Sequence, residues 1–281
     1  MSDKRKRDKS KVSVFFANEK VKSAETFVLP VLFGIFIMLL WQTGVLHRLL
    51  NTDTFTLPLP GRILAIMSDN RDKIWMNTMA TVLVALAGLI SGSLIGYLIA
   101  IFAALNRKWG ASGLGIVAAC NAIPIVALAP VMTNLTKDVS HDANTRSMAA
   151  KIIVVSIVSI ANMSFNAYRG LTELKPFSED LMASYAAPKA VTLLKLRMPN
   201  SIPYVFTALR VAVPSSVISA LVSEYFAEYI VGVGRQIREN IVLAQYPSAW
   251  AYIVSACLIG ILLYSILMII EGIVLKRHAK V

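Results

Sequence analysis

Residues 76–105 read MNTMATVLVALAGLISGSLIGYLIAIFAAL, thirty positions without one charged side chain. A helix rises about 1.5 Å per residue and a bilayer core is about 30 Å thick, so roughly 20 apolar residues suffice to cross it. This stretch is therefore read as a membrane helix. Working outward from it, comparable runs occur at 27–46, 114–135, 148–168, 206–230 and 250–275. Of the 281 residues, 56% are hydrophobic and 16% charged, where soluble domains carry about 45–50% and about 25%. The reading is an all-α polytopic membrane protein with about six transmembrane helices. Pro124 and Pro130 in the third run and Pro214 in the fifth predict kinks, which membrane helices tolerate when neighbours satisfy the freed carbonyl.

The net charge of +12, from 28 Lys+Arg against 16 Asp+Glu, gains its meaning from where the charges fall. Threading six helices from a cytoplasmic N-terminus places four basic blocks on the cytoplasmic side. They are Lys4 through Lys22, Arg107-Lys108, the 169–197 stretch, and Lys276-Arg277 with Lys280. On the other side Arg48, Arg62, Arg71, Lys73, Lys137, Arg146, Arg235 and Arg238 are diluted by acidic residues. This asymmetry orients the chain with both termini in the cytoplasm. It also excludes nucleic acid as a partner, since a binding groove needs its cations gathered on one surface. Lys4-Arg5-Lys6-Arg7 ahead of an apolar run resembles a signal peptide, but no small-x-small site follows Leu46, so the first run is read as an uncleaved helix. Residues 1–25 then form a basic cytoplasmic segment and residues 26–281 the membrane domain. Cys120 and Cys257 lie far apart in apolar runs, and no Cys/His cluster suggests a disulfide framework or a metal site.

One cytoplasmic loop, 169–203, is too long and too patterned for a simple connection. Ser178 suits an N-cap, with Glu179 and Asp180 in the first turn, where the helix dipole favours negative charge. Leu181, Met182 and Tyr185 share one side, Ala187-Pro188 interrupts, and a second short helix is expected over 189–196 with Val191, Leu193 and Leu194. Met198-Pro199 and Pro203 are expected to end it before the fifth span. A piece this small cannot bury its own apolar face. It either lies on lipid headgroups or docks on a partner protein.

Residues 180–199, DLMASYAAPKAVTLLKLRMP, continued by NSIPYVFTALR to Arg210, resemble the cytoplasmic EAA loop of ABC importer permeases. The likeness is strongest to the nitrate/sulfonate/taurine branch, with its E-A-A-x-x-x-G-A then L-P pattern followed by P-Y-I-F-x-G-L-R. Further likenesses follow in the right order: Leu57-Pro58-Leu59-Pro60, then residues 122–130 (AIPIVALAP), then Glu224-Tyr225-Phe226 with Gly232-Val233-Gly234. Together they span about residues 55–275. Two departures stand out: Asp180-Leu181-Met182 replaces Glu-Ala-Ala, and Ala186 replaces the loop glycine. The Thr136 to Ser147 stretch is also longer and more polar than in such permeases.

The resemblance implies a type I, MetI-like permease that forms the translocation pathway for a small solute. It implies two ABC ATPase subunits, a second permease copy or paralogue, and an extracytoplasmic solute-binding protein, in a bacterial plasma (inner) membrane. No G-x-x-x-x-G-K-[ST] phosphate loop occurs, so the chain is read as no enzyme, with no cofactor of its own and with ATP and Mg on the partner ATPase. Coupling to that ATPase falls to Asp180, Leu181, Met182, Tyr185, Ala186, Ala187 and Pro199. Ser215, Ser219 and Ser223 recur every four residues with Ser216 beside them, a stripe that suits either close helix packing or the pathway. Asn121 and Asn162 are further polar groups at membrane depth, fit for the pathway or for interhelical hydrogen bonds. Glu224, Glu228 and Arg235 are candidates for a gate or binding-protein contact. Lys151 and Glu271 are read as snorkelling from span ends. A stand-alone secondary transporter is the alternative, disfavoured by the lack of a clear repeat or of evident mid-span ionisable groups. The solute is expected among sulfonates, nitrate, bicarbonate, riboflavin or thiamine pyrimidine precursors.

Overall fold

The computed structural model describes residues 19–106, 110–227 and 231–278, leaving out the side chains of 19–27, 120 and 278. The first basic block through residue 18, Arg107-Lys108, Lys280 and the gate candidate Glu228 lie outside the described residues. Two compact units divide the chain, Met1–Ile66 and Met67–Val281. In the first, α1 (Glu19–Gln42) takes up the predicted 27–46 run only as far as Gln42, and Pro30 sits inside it. A left-handed Gly44 turns the chain into the short α2 (Val45–Leu50), whose buried His47 imidazole Nε2 lies 2.5 Å from the Leu57 carbonyl. Helix α3 (Pro60–Asp69) begins on the second proline of the Leu-Pro-Leu-Pro segment, a position where a missing N–H costs nothing.

The second unit is built on α4 (Arg71–Leu105), α7 (Ala143–Thr172), a 37-residue helix from Lys189 to Tyr225, and α12 (Tyr246–His278). These four are long and apolar enough to cross a membrane. The third predicted run is not one helix. It divides into α5 (Gly110–Ala119) and α6 (Ile125–Leu135), joined by a 3₁₀ turn at Cys120–Ala122. Pro124 explains the break: its φ of −61° and ψ of 124° are extended, and the ring restricts the residue before it to the same region. Pro130 and Pro214, by contrast, stay inside helices.

Two other boundaries differ from expectation. Helix α7 starts five residues before the predicted 148, because Asp142 caps it: Thr145 donates to Oδ2 from both its backbone N–H, at 2.8 Å, and its hydroxyl, at 2.7 Å. The polar 136–147 stretch is thus a short loop plus the first turn of α7, with Arg146 donating to the Ser140 and His141 carbonyls. In the loop after α7, α8 (Ser178–Ser184) and α9 (Lys189–Thr192) are separate as expected. However, Pro199 and Pro203 do not stop the second helix. It passes through a π-turn at Leu193–Arg197 into α10 (Met198–Tyr225). The wider turn re-registers the backbone bonds just ahead of Pro199, which has no N–H to give.

Helix α7 lies at the centre of this unit. Gly88, Gly92 and Gly96 of α4 line up four apart and meet it: a Cβ on them would lie 2.4, 2.4 and 2.7 Å from Val155, the Ser156 carbonyl and the Ile160 carbonyl. Such small-residue seams let membrane helices approach backbone to backbone. The Ser91 and Ser156 hydroxyls share a 2.8 Å hydrogen bond across the seam. Toward one end, Ala100, Ala104, Met163, Ala167, Leu171 and Ala208 join α4, α7 and α10 in a buried cluster. Short helix α11 (Val233–Val242) connects α10 to α12 at the other end.

Candidate functional site

The end of the second unit that carries α8 is anchored at several points. Arg197 donates to the Ala104 carbonyl at the end of α4 at 3.0 Å and to Glu179 of α8 at 2.7 Å. Asn200 donates to the Gly170 and Glu173 carbonyls, satisfying the last turn of α7. Arg169 and Tyr204 both reach the Glu173 carboxylate, at 2.8 and 3.2 Å, and Arg169 holds that carboxyl below its ordinary range. The loop is therefore fixed at its base to α4, α7 and α10.

Its tip is apolar and open. Phe177 is 81% exposed, Leu181 59% and Tyr185 77%, while Asp180 and Ala186 are also exposed and Met182, Ala187 and Pro199 are half-buried. The N-cap is Phe177 at φ 63°, not Ser178, because the Phe177 carbonyl accepts the first helical bond, from the Leu181 N–H. The helix ends in a Schellman arrangement: the Ala187 N–H bonds the Met182 carbonyl and the Ala186 N–H the Ala183 carbonyl. Ala186 sits at φ 48°, the left-handed position where glycine is the usual residue. The replaced loop glycine noted above falls on that residue.

The serine stripe is turned inward. Ser216, Ser219 and Ser223 are buried, and each hydroxyl bonds a carbonyl of its own helix, those of Val213, Ser215 and Ala220. Ser215, partly exposed, does the same with Val211. Asn162 is half-buried on α7, and its carbonyl accepts from Asn166. Asn121 is exposed in the 3₁₀ break between α5 and α6. The structure does not gather these six residues into one cluster.

At the opposite end from α8, Glu224 is no surface charge. It is fully buried, and its Oε2 accepts from the Thr81 hydroxyl and the Gly234 N–H, both at 2.9 Å. Arg235 instead donates to the Ala227 carbonyl and lies 3.5 Å from Glu239. The two residues assigned to snorkelling are likewise inward. Lys151 is buried with its ammonium on the Val231 carbonyl at 3.1 Å. Glu271, its side chain 7% exposed, forms a two-pronged pair with the half-exposed Arg210 at 2.6 and 2.8 Å, joining α10 to α12. Sequence reading missed Thr81, Asn77, Arg197 and Arg210 as site residues. A polar residue in an apolar run was the available signal, but its partner is remote in the chain.

The second unit is thus a bundle of apolar helices long enough to cross a membrane, with a loop at one end that is tied down at its base and apolar at its tip. The chain belongs to the binding-protein-dependent transport system inner membrane component family, whose model matches residues 92–280, and it is an ABC importer permease of the MetI-like type. It is 26% identical over 252 residues to the formylaminopyrimidine transport permease protein ThiX of Halalkalibacterium halodurans, covering 89% of this chain and 96% of that one. To the riboflavin transport system permease protein RibX of Chloroflexus aurantiacus it is 25% identical over 270 residues, covering 93% and 96%. Its fold matches the inward-facing MetNI methionine ABC transporter with a TM-score of 0.61 at 15% identity, over 73% of this chain and 96% of the other.

Proposed function

We propose that this permease works in a bacterial plasma membrane with both termini cytoplasmic, paired with a second permease copy or paralogue. It takes its solute from an extracytoplasmic binding protein and is driven by two ATPase subunits that hold ATP and Mg. The observation that carries this reading is the α8 element: exposed Phe177, Leu181 and Tyr185 on a base tied to three spans through Arg197, Asn200 and Glu173. An apolar tip on a rigid base is what a lever needs. The tip gains by burial in a partner's groove, and the base passes displacement to α4, α7 and α10 without absorbing it. Pro199 sits where the lever runs into α10, and the π-turn keeps the two continuous. Asn121, Asn162 and Ser215, the incompletely buried polar groups of the spans named above, are assigned to the pathway, with the buried Ser216, Ser219 and Ser223 packing behind them. Arg235 is assigned to the outer gate, and the buried Glu224 supports that end from within.

Two relatives aligned over nearly their whole length are named for transport of formylaminopyrimidine and riboflavin, which supports a nitrogen heterocycle as the solute class. The test of coupling is co-purification. Asp180→Arg combined with Leu181→Asp should abolish recovery of an ATPase subunit with the detergent-extracted permease. A doubly substituted chain that still brings down an active ATPase would remove the docking role.

A further inference from the structure

We propose that Asn77, Thr81, Lys151 and Glu224 are positioning residues for transport, clamping the backbone of residues 231–234 so that α11 moves as one body with α4, α7 and α10. The proposal rests on the coupled-importer reading above. Four consecutive residues are each held by a side chain from a span. The Val231 carbonyl accepts from Lys151 Nζ at 3.1 Å. The Gly232, Val233 and Gly234 N–H groups donate to Asn77 Oδ1, Thr81 Oγ1 and Glu224 Oε2, each at 2.9 Å. The Thr81 hydroxyl in turn donates a hydrogen bond to the same Glu224 oxygen, and Asn77 is itself pinned by its amide to the Lys73 carbonyl. All four side chains are buried.

The chemistry explains why these groups are needed. The first N–H groups of a helix have no partner within it, and a serine or aspartate N-cap usually supplies one. Here the N-cap is Gly232, which has no side chain to give. Remote side chains take over, and a carboxylate at a helix N-terminus is favoured by the dipole. Gly232 is fixed on two counts: its φ is +121°, and a Cβ there would lie 2.3 Å from the Glu224 carboxyl carbon. Away from water each broken bond leaves an unsatisfied polar group, so the clamp opens as a unit or not at all. A lever at the α8 end and a clamp at the other are joined by the same three spans. Movement of those spans therefore reaches α11, whose far end carries the exposed Val242 and Leu243.

The experiment uses the permease–ATPase complex in proteoliposomes, with Cys120 and Cys257 replaced by Ser and a Val242→Cys reporter. A membrane-impermeant maleimide reads the exposure of α11 without nucleotide and after ATP–vanadate trapping. In the parent, the labelling rate should change by about fivefold or more between the two states. Thr81→Val or Glu224→Ala should reduce that change below about twofold while ATP hydrolysis persists, because α11 no longer follows the spans. Glu224→Gln, whose amide oxygen still accepts from Gly234, should retain the parent change. Should Glu224→Ala not accumulate, the near-isosteric Thr81→Val decides alone. State-dependent labelling that survives Thr81→Val in a complex still hydrolysing ATP overturns the clamp and leaves the importer reading intact. A parent reporter that does not respond to trapping overturns it too, and an ATPase that never co-purifies overturns the importer assembly first.

Discussion

Ala186 holds the left-handed corner of the coupling loop at φ 48°, a geometry that costs a β-carbon-bearing residue about 1–2 kcal/mol. Ala186→Gly should therefore raise the stability of the detergent-solubilised chain by about 1 kcal/mol, read as a higher melting temperature, and Ala186→Val should lower it. Asp142 gives a pH prediction. The Thr145 hydroxyl, and then its backbone N–H, holds the carboxyl below the ordinary aspartate range. A depressed carboxyl stabilises the fold above its unfolded-state value, and that contribution is lost as pH falls through the folded one. Acidification across that window should lower the melting temperature of the parent more than that of Asp142→Asn, whose amide oxygen still caps the helix without titrating. At this scale sequence was informative about types and silent about partners. Glu224 was visible as an acid near a span end, yet its burial follows from Thr81 and Gly234, 143 and 10 residues away.

Helix α4 shows what decides the pairing of elements. Its apolar run announces a span, but the choice of neighbour lies in Gly88, Gly92 and Gly96, which bring α7 so close that Gly92 has the Ser156 carbonyl where a Cβ would be. Gly92→Val should destabilise the chain by about 1–3 kcal/mol and reduce its recovery as a monodisperse species in size-exclusion chromatography. The Arg210–Glu271 pair joins α10 to α12, with Glu271 buried and Arg210 on the exposed side. Glu271→Leu leaves Arg210 without its counter-charge and should lower the melting temperature, whereas Arg210→Met with Glu271→Leu should recover much of the loss. The helix boundaries moved for local reasons. Proline broke the third run at Pro124 but was absorbed at Pro199 by a π-turn, and residue type alone does not separate these outcomes because the rescue depends on how neighbouring carbonyls are satisfied.

Across the second unit, the α8 loop and the Glu224 clamp lie at opposite ends of the same spans, so the threading that puts 169–203 in the cytoplasm makes a two-sided prediction. A membrane-impermeant maleimide applied to right-side-out vesicles should label Lys137→Cys in the α6–α7 loop and not Ala183→Cys in α8, in a chain lacking Cys120 and Cys257; the reverse pattern would invert the topology. Hydrophobic run length, the alternation of basic and neutral loops, and the ordered motifs from Leu57 to Gly234 determined by themselves that this is a helical membrane permease. They could do so because span length and loop charge are local quantities, set by bilayer thickness and surface potential. Tertiary structure alone decided that the serine stripe faces inward, that Lys151, Glu224 and Glu271 are buried partners rather than rim charges, and that α11 is held at its first turn. Those outcomes depend on which distant side chain supplies the missing hydrogen bond where water is absent, and no window along the chain contains both halves of such a bond.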